Sequence, residues 1–474
     1  MSIKGIRLEN FRGFADASIK VKPLTVLLGA NSSGKSSFGH AMAALAHAQS
    51  LYANSPKLTL TPQADAAFWP VDLGYLADLR KHGIEGPVYI SFETSEGWLK
   101  WGFGLDLEQI ENPDLEISYI EQPAGLDDRL SPEEIIIPSQ LAPVVTGTIS
   151  AGIKELPEAI GPRAFRRINE QQWRESPSEI IANVDTRGLT IDSVTHAGGG
   201  TNITLNGQVR REIRTILKNL TYLRATRSRP IRSYEDPISK FQQGISYGGE
   251  GTAKVLHQRA LQRTDIMSPP VVATVTMNRI NHLRTEWTAS NSTLIEALCA
   301  WLRHMGLAHS VEAVPMKHDP TYLQIRVTLH DQQPHDITEV GFGISQLLPV
   351  LVAGLLQPPD SLFVVDLPEA HLHPRPQAAL ADFFCSLALS NRKTLVETHS
   401  EMFINQLRLR AEMTPELMEN IAIYFVDEPV QGHCCKPRLI SLKAEEEIHW
   451  PVGFLEEAWN IESQISAIRD ARRK

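Results

Sequence analysis

Cysteine is scarce in this chain. Its four residues, Cys299, Cys385, Cys434 and Cys435, are scattered in a way that gives neither a metal-site spacing nor a disulfide framework. A reducing compartment is expected. The His433–Cys435 run invites a metal reading, but neighbouring cysteines ligate one ion poorly, so an incidental pair of loop thiols is expected there. Long apolar runs are also absent. None reaches the roughly 18 residues of a membrane span, and the N-terminus reads as a strand rather than a cleavable leader. No membrane contact and a cytoplasmic location follow as expectations. Sustained heptads are missing, which excludes a long coiled-coil arm. Positive charge is not in excess: 46 basic against 55 acidic residues leave a net charge of −9, so coating nucleic acid is not the main business of this chain.

What the sequence does carry begins at Gly29-Ala-Asn-Ser-Ser-Gly-Lys-Ser-Ser37, which fits the phosphate-binding pattern GxxxxGK[ST]. Leu24 to Leu28 read as a buried strand leading into it. Phe38, Met42 and Leu45 recur with helical spacing after it, so strand, glycine loop and helix come in the order that gives the pattern meaning. Backbone N–H groups of such a loop and of the helix start make a positively polarised cradle for phosphate. Gly29, Asn31, Ser33, Gly34, Lys35, Ser36 and Ser37 are the expected nucleotide contacts. Lys35 would reach the β- and γ-phosphates of ATP, and the Ser36 hydroxyl would ligate magnesium.

The second half of the site is expected far downstream. Leu362 to Val365 is a short apolar run ending in Asp366, a carboxylate placed at a strand edge to hold magnesium. Glu369 can serve as general base towards water. Thr394 to His399 reads as another buried strand, with His399 set against the γ-phosphate. His371 and His373, beside the acidic strand, suit packing or dimer contacts better than metal binding. Glu339 to Gln346, followed by an apolar helical run from Leu347 to Leu356, places Gly343 and Ser345 at a second anion-binding helix start. If that cradle faces the phosphate loop of another copy, two ATP molecules are sandwiched in a nucleotide-dependent homodimer.

These motifs resemble the ABC-type ATPase heads of the structural-maintenance-of-chromosomes, RecF and OLD group. Ile6 to Phe14 resembles the group's opening strand and turn, which implies that Arg12 approaches bound phosphates. Val340 to Pro349 is similar to its signature-helix start, and Pro368 to Pro374 and Glu397 to Ser400 also match. More narrowly, Val71 to Gly74, Thr221 to Pro230, Ala422 to Val426 and Trp450 to Phe454 resemble bacterial stand-alone AAA-type ATPases. The resemblance implies an α/β fold: a P-loop NTPase head with a mixed sheet core, an antiparallel β subdomain, a helical signature lobe and an inserted middle region. It also implies ATP and magnesium as cofactors. Related ATPases serve anti-phage systems of the PARIS and Septu kind, which implies control of a separate effector such as a nuclease. One departure stands out. The residue after the acidic strand's aspartate is usually the catalytic glutamate of such heads, and here it is Leu367. Either Glu369 takes over as the base, or hydrolysis is slow and ATP acts mainly as a switch; slow hydrolysis is the favoured expectation.

Length alone would suggest about three domains. Lys35 and Asp366 must nevertheless share one site, so the expected division is a split head. Residues 1–109 form its N-terminal half, 110–205 an insertion with strands near Leu189–Val194 and Thr201–Leu205, and 206–340 a basic segment and helical lobe. Residues 341–412 form the second half and 413–474 a strand and helical tail. Within the third part, Arg210, Arg211, Arg214, Lys218, Arg224, Arg227, Arg229 and Arg232 face a single acid, Glu212. That run can contact a DNA backbone, as in a RecF-type genome-maintenance ATPase, form a solvated helix face, or order the nucleotide site or an acidic partner. Gly244 to Gly251 reads as a mobile loop or linker. The stretch after His399 lacks an acidic constellation for two-metal chemistry, so nuclease activity within this chain is not expected.

Overall fold

The structure is a computed structural model that describes residues 3–51, 57–59, 73, 79–81, 83–84, 88–94, 98–103, 114–122, 133–136, 148–151, 180–185, 190–196, 203–204, 215–235, 244–277, 280–427 and 435–442. Arg210, Arg211, Arg214, His433, Cys434, the segment Trp450 to Phe454, and Val71 to Gly74 apart from Leu73 lie outside the described residues.

A six-stranded sheet forms the centre, in the spatial order Thr221–Leu223, Leu362–Asp366, Lys393–Glu397, Leu24–Gly29, Ile421–Val426 and Pro437–Ile440. The first five are parallel and the last is antiparallel to its neighbour. Leu24–Gly29, Leu362–Asp366 and Ile421–Val426 are buried at every position, which is why they read as continuous apolar runs rather than alternating ones. The strand expected at Thr394–His399 stops at Glu397. Ser400 ends it, because its hydroxyl accepts the Phe403 N–H at 3.0 Å and starts the helix Glu401–Met413, so residues 398–400 leave the sheet.

A mostly N-terminal antiparallel sheet pairs Phe14–Lys20, Gly5–Phe11, Val88–Glu93, Trp98–Phe103, Asp114–Gln122 and Lys57–Thr59 in that order, with Glu133–Ile136 also on Asp114–Gln122. Its first hairpin turns at Arg12, whose φ of 48° is left-handed. Within 110–205, a separate four-stranded sheet contains Thr190–His196 and Ile203–Thr204, close to the two strands expected there.

The helices Leu294–His304, Phe342–Leu355, Pro374–Leu389 and Glu401–Met413 pack into one core with the central sheet. Trp301, Phe363, Phe383, Phe384 and Phe403 are its fully buried rings, with Trp301–Phe383 centroids 5.2 Å apart and Phe384–Phe403 centroids 5.8 Å apart. Each contributes about 1.5–3 kcal/mol through burial. Gly244 to Gly251 is a loop held against its neighbours. Tyr247 O accepts the Arg224 N–H at 3.0 Å and Gly248 O the Ser228 N–H at 2.8 Å, and Ser246 and Tyr247 are buried.

Candidate functional site

Lys35, Ser36, Asp366, Glu369 and Glu397 gather at the C-terminal edge of the parallel strands, where α/β sheets place their ligand crevice. The helix Ser36–Leu51 follows the phosphate loop directly. Gly29 allows the loop to close: its φ is 141°, and a Cβ there would lie 2.2 Å from Val426 O. Gly34, at φ 94°, and Ser32, at φ 62°, also have positive φ. Lys35 is only 3% exposed and folds over its own loop, donating to Gly29 O at 3.0 Å and Ala30 O at 2.5 Å. Burial lowers its pKa, against the opposing pull of Glu397.

Asp366 and Glu397 are register partners on adjacent parallel strands, so the fold sets two buried carboxylates side by side. Both are pushed above the ordinary carboxylate range, first by burial and then by neighbouring negative charge: Glu397 acting on Asp366, and Glu369 on Glu397. The Ser36 hydroxyl bonds to Glu397. Asp366 Oδ2 accepts the Tyr222 hydroxyl at 2.6 Å, and burial with that carboxylate beside it keeps Tyr222 protonated. His40 Nε2 lies 3.8 Å from the same oxygen. Because Arg12 Nη1 sits 2.9 Å from His40 Nδ1 and a guanidinium only donates, Nδ1 is the acceptor and the proton is on Nε2. Burial and the Arg12 charge push His40 down to about 3, so it is neutral. Arg12 thus reaches the site through His40.

Glu369 is 7% exposed. Its Oε1 accepts the His399 N–H at 2.8 Å, and burial raises its pKa. The His399 side chain is exposed, and burial of part of its ring and Lys35 lower its pKa. At the signature helix Phe342–Leu355, Ser345 Oγ donates to Phe342 O at 2.7 Å, turned onto its own first turn. Gly343 meets a packing demand: a Cβ there would lie 2.7 Å from His371 O. The His371 ring stands edge-on to Phe342 at 4.9 Å, so the turn after the acidic strand touches the start of the signature helix. Of the basic run, Arg224 faces Glu250 at 3.9 Å, Arg232 faces Glu339 at 3.4 Å, and Arg227 is buried against the Asp366 turn.

Three site residues escape sequence reasoning, His40, Tyr222 and Glu397, while Arg227 enters it only as one member of the basic run whose readings include ordering the nucleotide site. Glu397 left a usable signal, as a charged residue closing an apolar strand next to His399. Tyr222 and His40 left none, since only strand register and helix packing bring them to Asp366. Gly39 permits that approach, as a Cβ there would sit 3.1 Å from Val364 Cγ1 and 3.5 Å from Asp366 Oδ1. Among the described residues no group of three His, Cys, Asp or Glu side chains forms a metal cage.

Residues 1–159 match the family model described as "AAA ATPase domain", and residues 202–405 match "AAA domain, putative AbiEii toxin, Type IV TA system". Two segments of the chain thus match AAA ATPase-domain models, and the phosphate loop of the first stands at the head of the parallel sheet of a mixed α/β fold. Among solved structures the chain is similar to the SMC head domain from Thermotoga maritima, at 10% identity and a TM-score of 0.34, covering 94% of this chain and 100% of that one. It is also similar to the Smc head domain with an extended coiled coil bound to the C-terminal domain of ScpA derived from Pyrococcus furiosus, at 12% identity and a TM-score of 0.38, covering 98% and 99%. No curated protein matches the chain. Among the described residues no helix is long and apolar enough to cross a membrane.

Proposed function

We propose that this protein is an ATP-dependent switch. It binds magnesium–ATP, hydrolyses it slowly, pairs with a second copy around two nucleotides and, when closed, controls a separate effector, a nuclease, in bacterial anti-phage defence. The observation that carries the reading is the convergence of Lys35, Ser36, Asp366, Glu369 and Glu397 at one sheet edge, with Leu367 where a strand-end base is expected. The donor set fits magnesium. Asp366, Glu397 and the Ser36 hydroxyl offer only oxygen, Glu397 Oε2 is buried without a partner among the described residues, and magnesium shared with phosphates needs only one or two carboxylates. Bound there, the ion supplies charge neutralisation at the phosphates.

Lys35 would exchange its loop carbonyls for phosphate oxygens. Glu369 would accept the proton of the water whose oxygen bonds to the γ-phosphorus while the bond to the bridging oxygen breaks, leaving ADP and phosphate. A base on a turn instead of a strand end supports slow turnover, which suits a switch. The defence setting is supported by the resemblance of Thr221 to Pro230 and Ala422 to Val426 to stand-alone ATPases of such systems. Three arginines of the basic run are engaged within the chain, which supports a role in ordering the site.

Phosphate release from the purified protein with magnesium and ATP, with and without duplex DNA at moderate salt, tests the reading. Slow release indifferent to DNA is expected. Stimulation by DNA would move the assignment to a genome-maintenance ATPase, and Arg210, Arg211 and Arg214 to glutamate should then abolish the stimulation.

A further inference from the structure

We infer that Arg227 positions Glu369 for hydrolysis: its guanidinium fixes the turn that carries the base and, with the free oxygen of Glu369, holds the attacking water. This rests on the assignment of Glu369 as base made above. A base at a strand end is held by the sheet. Glu369 is instead carried on the turn after Asp366, and a turn must be held by something else.

The turn is unusual. Leu367 has φ 44°, a left-handed conformation that costs a leucine about 1–2 kcal/mol. Its N–H donates to Glu397 O at 2.9 Å, which ties the turn to the neighbouring strand. Arg227 Nη2 donates to Asp366 O at 2.8 Å and to Leu367 O at 3.2 Å, so one donor grips both carbonyls that flank the kink. Arg227 arrives there because the strand Thr221–Leu223 runs parallel to Leu362–Asp366, and the chain leaves it beside the same edge.

Anchoring two carbonyls does not require a full charge. Arg227 is 4% exposed, and burying a guanidinium costs several kcal/mol unless the charge is used. Its Nε and Nη1 have no hydrogen-bond partner among the described residues, and neither has Glu369 Oε2; all three atoms are buried. Arg227 is attracted electrostatically by both Asp366 and Glu369. Two spare donors and one spare carboxylate oxygen beside the same turn are the groups that fix a water: Arg227 donates to its oxygen, and Glu369 accepts its proton. The planar fork of arginine can grip the backbone with one nitrogen and keep the others for this task, which lysine cannot do.

Arg227→Ala and Arg227→Gln test the assignment, with three readouts: ATP dissociation constant, single-turnover rate at saturating ATP, and thermal unfolding. The glutamine amide retains donors for the turn but lacks the charge. We expect both variants to hold ATP within about threefold of the unsubstituted protein and to turn over at least about tenfold more slowly. Millimolar guanidinium should restore part of the rate to Arg227→Ala and none to Glu369→Gln. Arg227→Ala combined with Glu369→Gln should be no slower than Glu369→Gln alone. A glutamine variant with the full rate would overturn the proposal. So would unfolding of both variants, or loss of ATP binding in step with the rate, since Arg227 would then be a structural anchor. No turnover in the unsubstituted protein would instead overturn the ATPase reading itself.

Discussion

Lys35 donates to two carbonyls of its own loop, Gly29 O and Ala30 O, bonds that ATP would have to replace under the proposed function. Lys35→Ala should weaken ATP binding about 10- to 100-fold, the worth of one charge-assisted bond, as measured by calorimetry. Glu369→Gln should leave the dissociation constant within a few fold and cut turnover by about 10²–10⁴-fold in a phosphate-release assay. Both residues are legible in the sequence because their chemistry is written as local spacing: a lysine inside a glycine loop, and an acid just past an apolar strand. Tyr222 and Arg227 are not, because each acts on Asp366 across strands far apart in the chain. The basic run left open a DNA contact, a solvated face and the ordering of the nucleotide site, since a run of arginines says nothing about which of them is buried.

At the scale of elements, the helices Leu294–His304, Pro374–Leu389 and Glu401–Met413 are joined at Asp382. Arg410 binds it through both oxygens, at 2.7 and 3.0 Å, and His304 Nε2 lies 2.9 Å from Oδ2. Burial alone would push Asp382 up, but the hydrogen bonds from His304 and Arg410 outweigh it and hold the group below the usual carboxylate range. A depressed folded pKa means that the stabilisation is complete above the unfolded value near 3.9 and is lost as pH falls through the folded one. Urea unfolding should therefore show this contribution unchanged from neutral pH down to about pH 5 and falling below about pH 4, with the slope reduced in Asp382→Asn. Arg410→Ala should cost about 3–5 kcal/mol at neutral pH by removing the guanidinium that binds both oxygens of a buried carboxylate. Phe383→Ala should cost a similar 3–5 kcal/mol by opening a cavity between Trp301 and Phe384, without changing ATP affinity. The buried strands were legible as elements because burial on both faces removes polar alternation. The packing of the Gly244–Gly251 loop was not legible, because glycine reports a permissive backbone and not what packs over it: a Cβ at Gly249 would lie 2.7 Å from Pro349 Cγ in the helix Phe342–Leu355.

At the scale of the molecule, the proposed pairing predicts that Glu369→Gln with ATP has twice the monomer mass by light scattering. Ser345→Arg should keep it single while still binding ATP, because the substitution falls on the surface offered to the second copy. The fold class was readable from the motifs, and the segment 206–340, expected as a basic segment and helical lobe, carries the helices Thr252–Arg259 and Leu294–His304 beside a four-stranded sheet built around Tyr322–Thr328. Its short alternating strands lie between glycine and proline breaks that mask their period. The order of the central sheet has a consequence for synthesis. Leu24–Gly29 is made early, yet its two neighbours, Lys393–Glu397 and Ile421–Val426, are among the last described strands to emerge. At about 5–20 residues per second, the first strand waits on the order of 20–80 s on the ribosome with both hydrogen-bonding edges open. A stalled or truncated nascent chain would expose an apolar, ladder-ready segment for all that time. An expected consequence is that the yield depends on whether chaperones cover this early strand, and not on final stability alone.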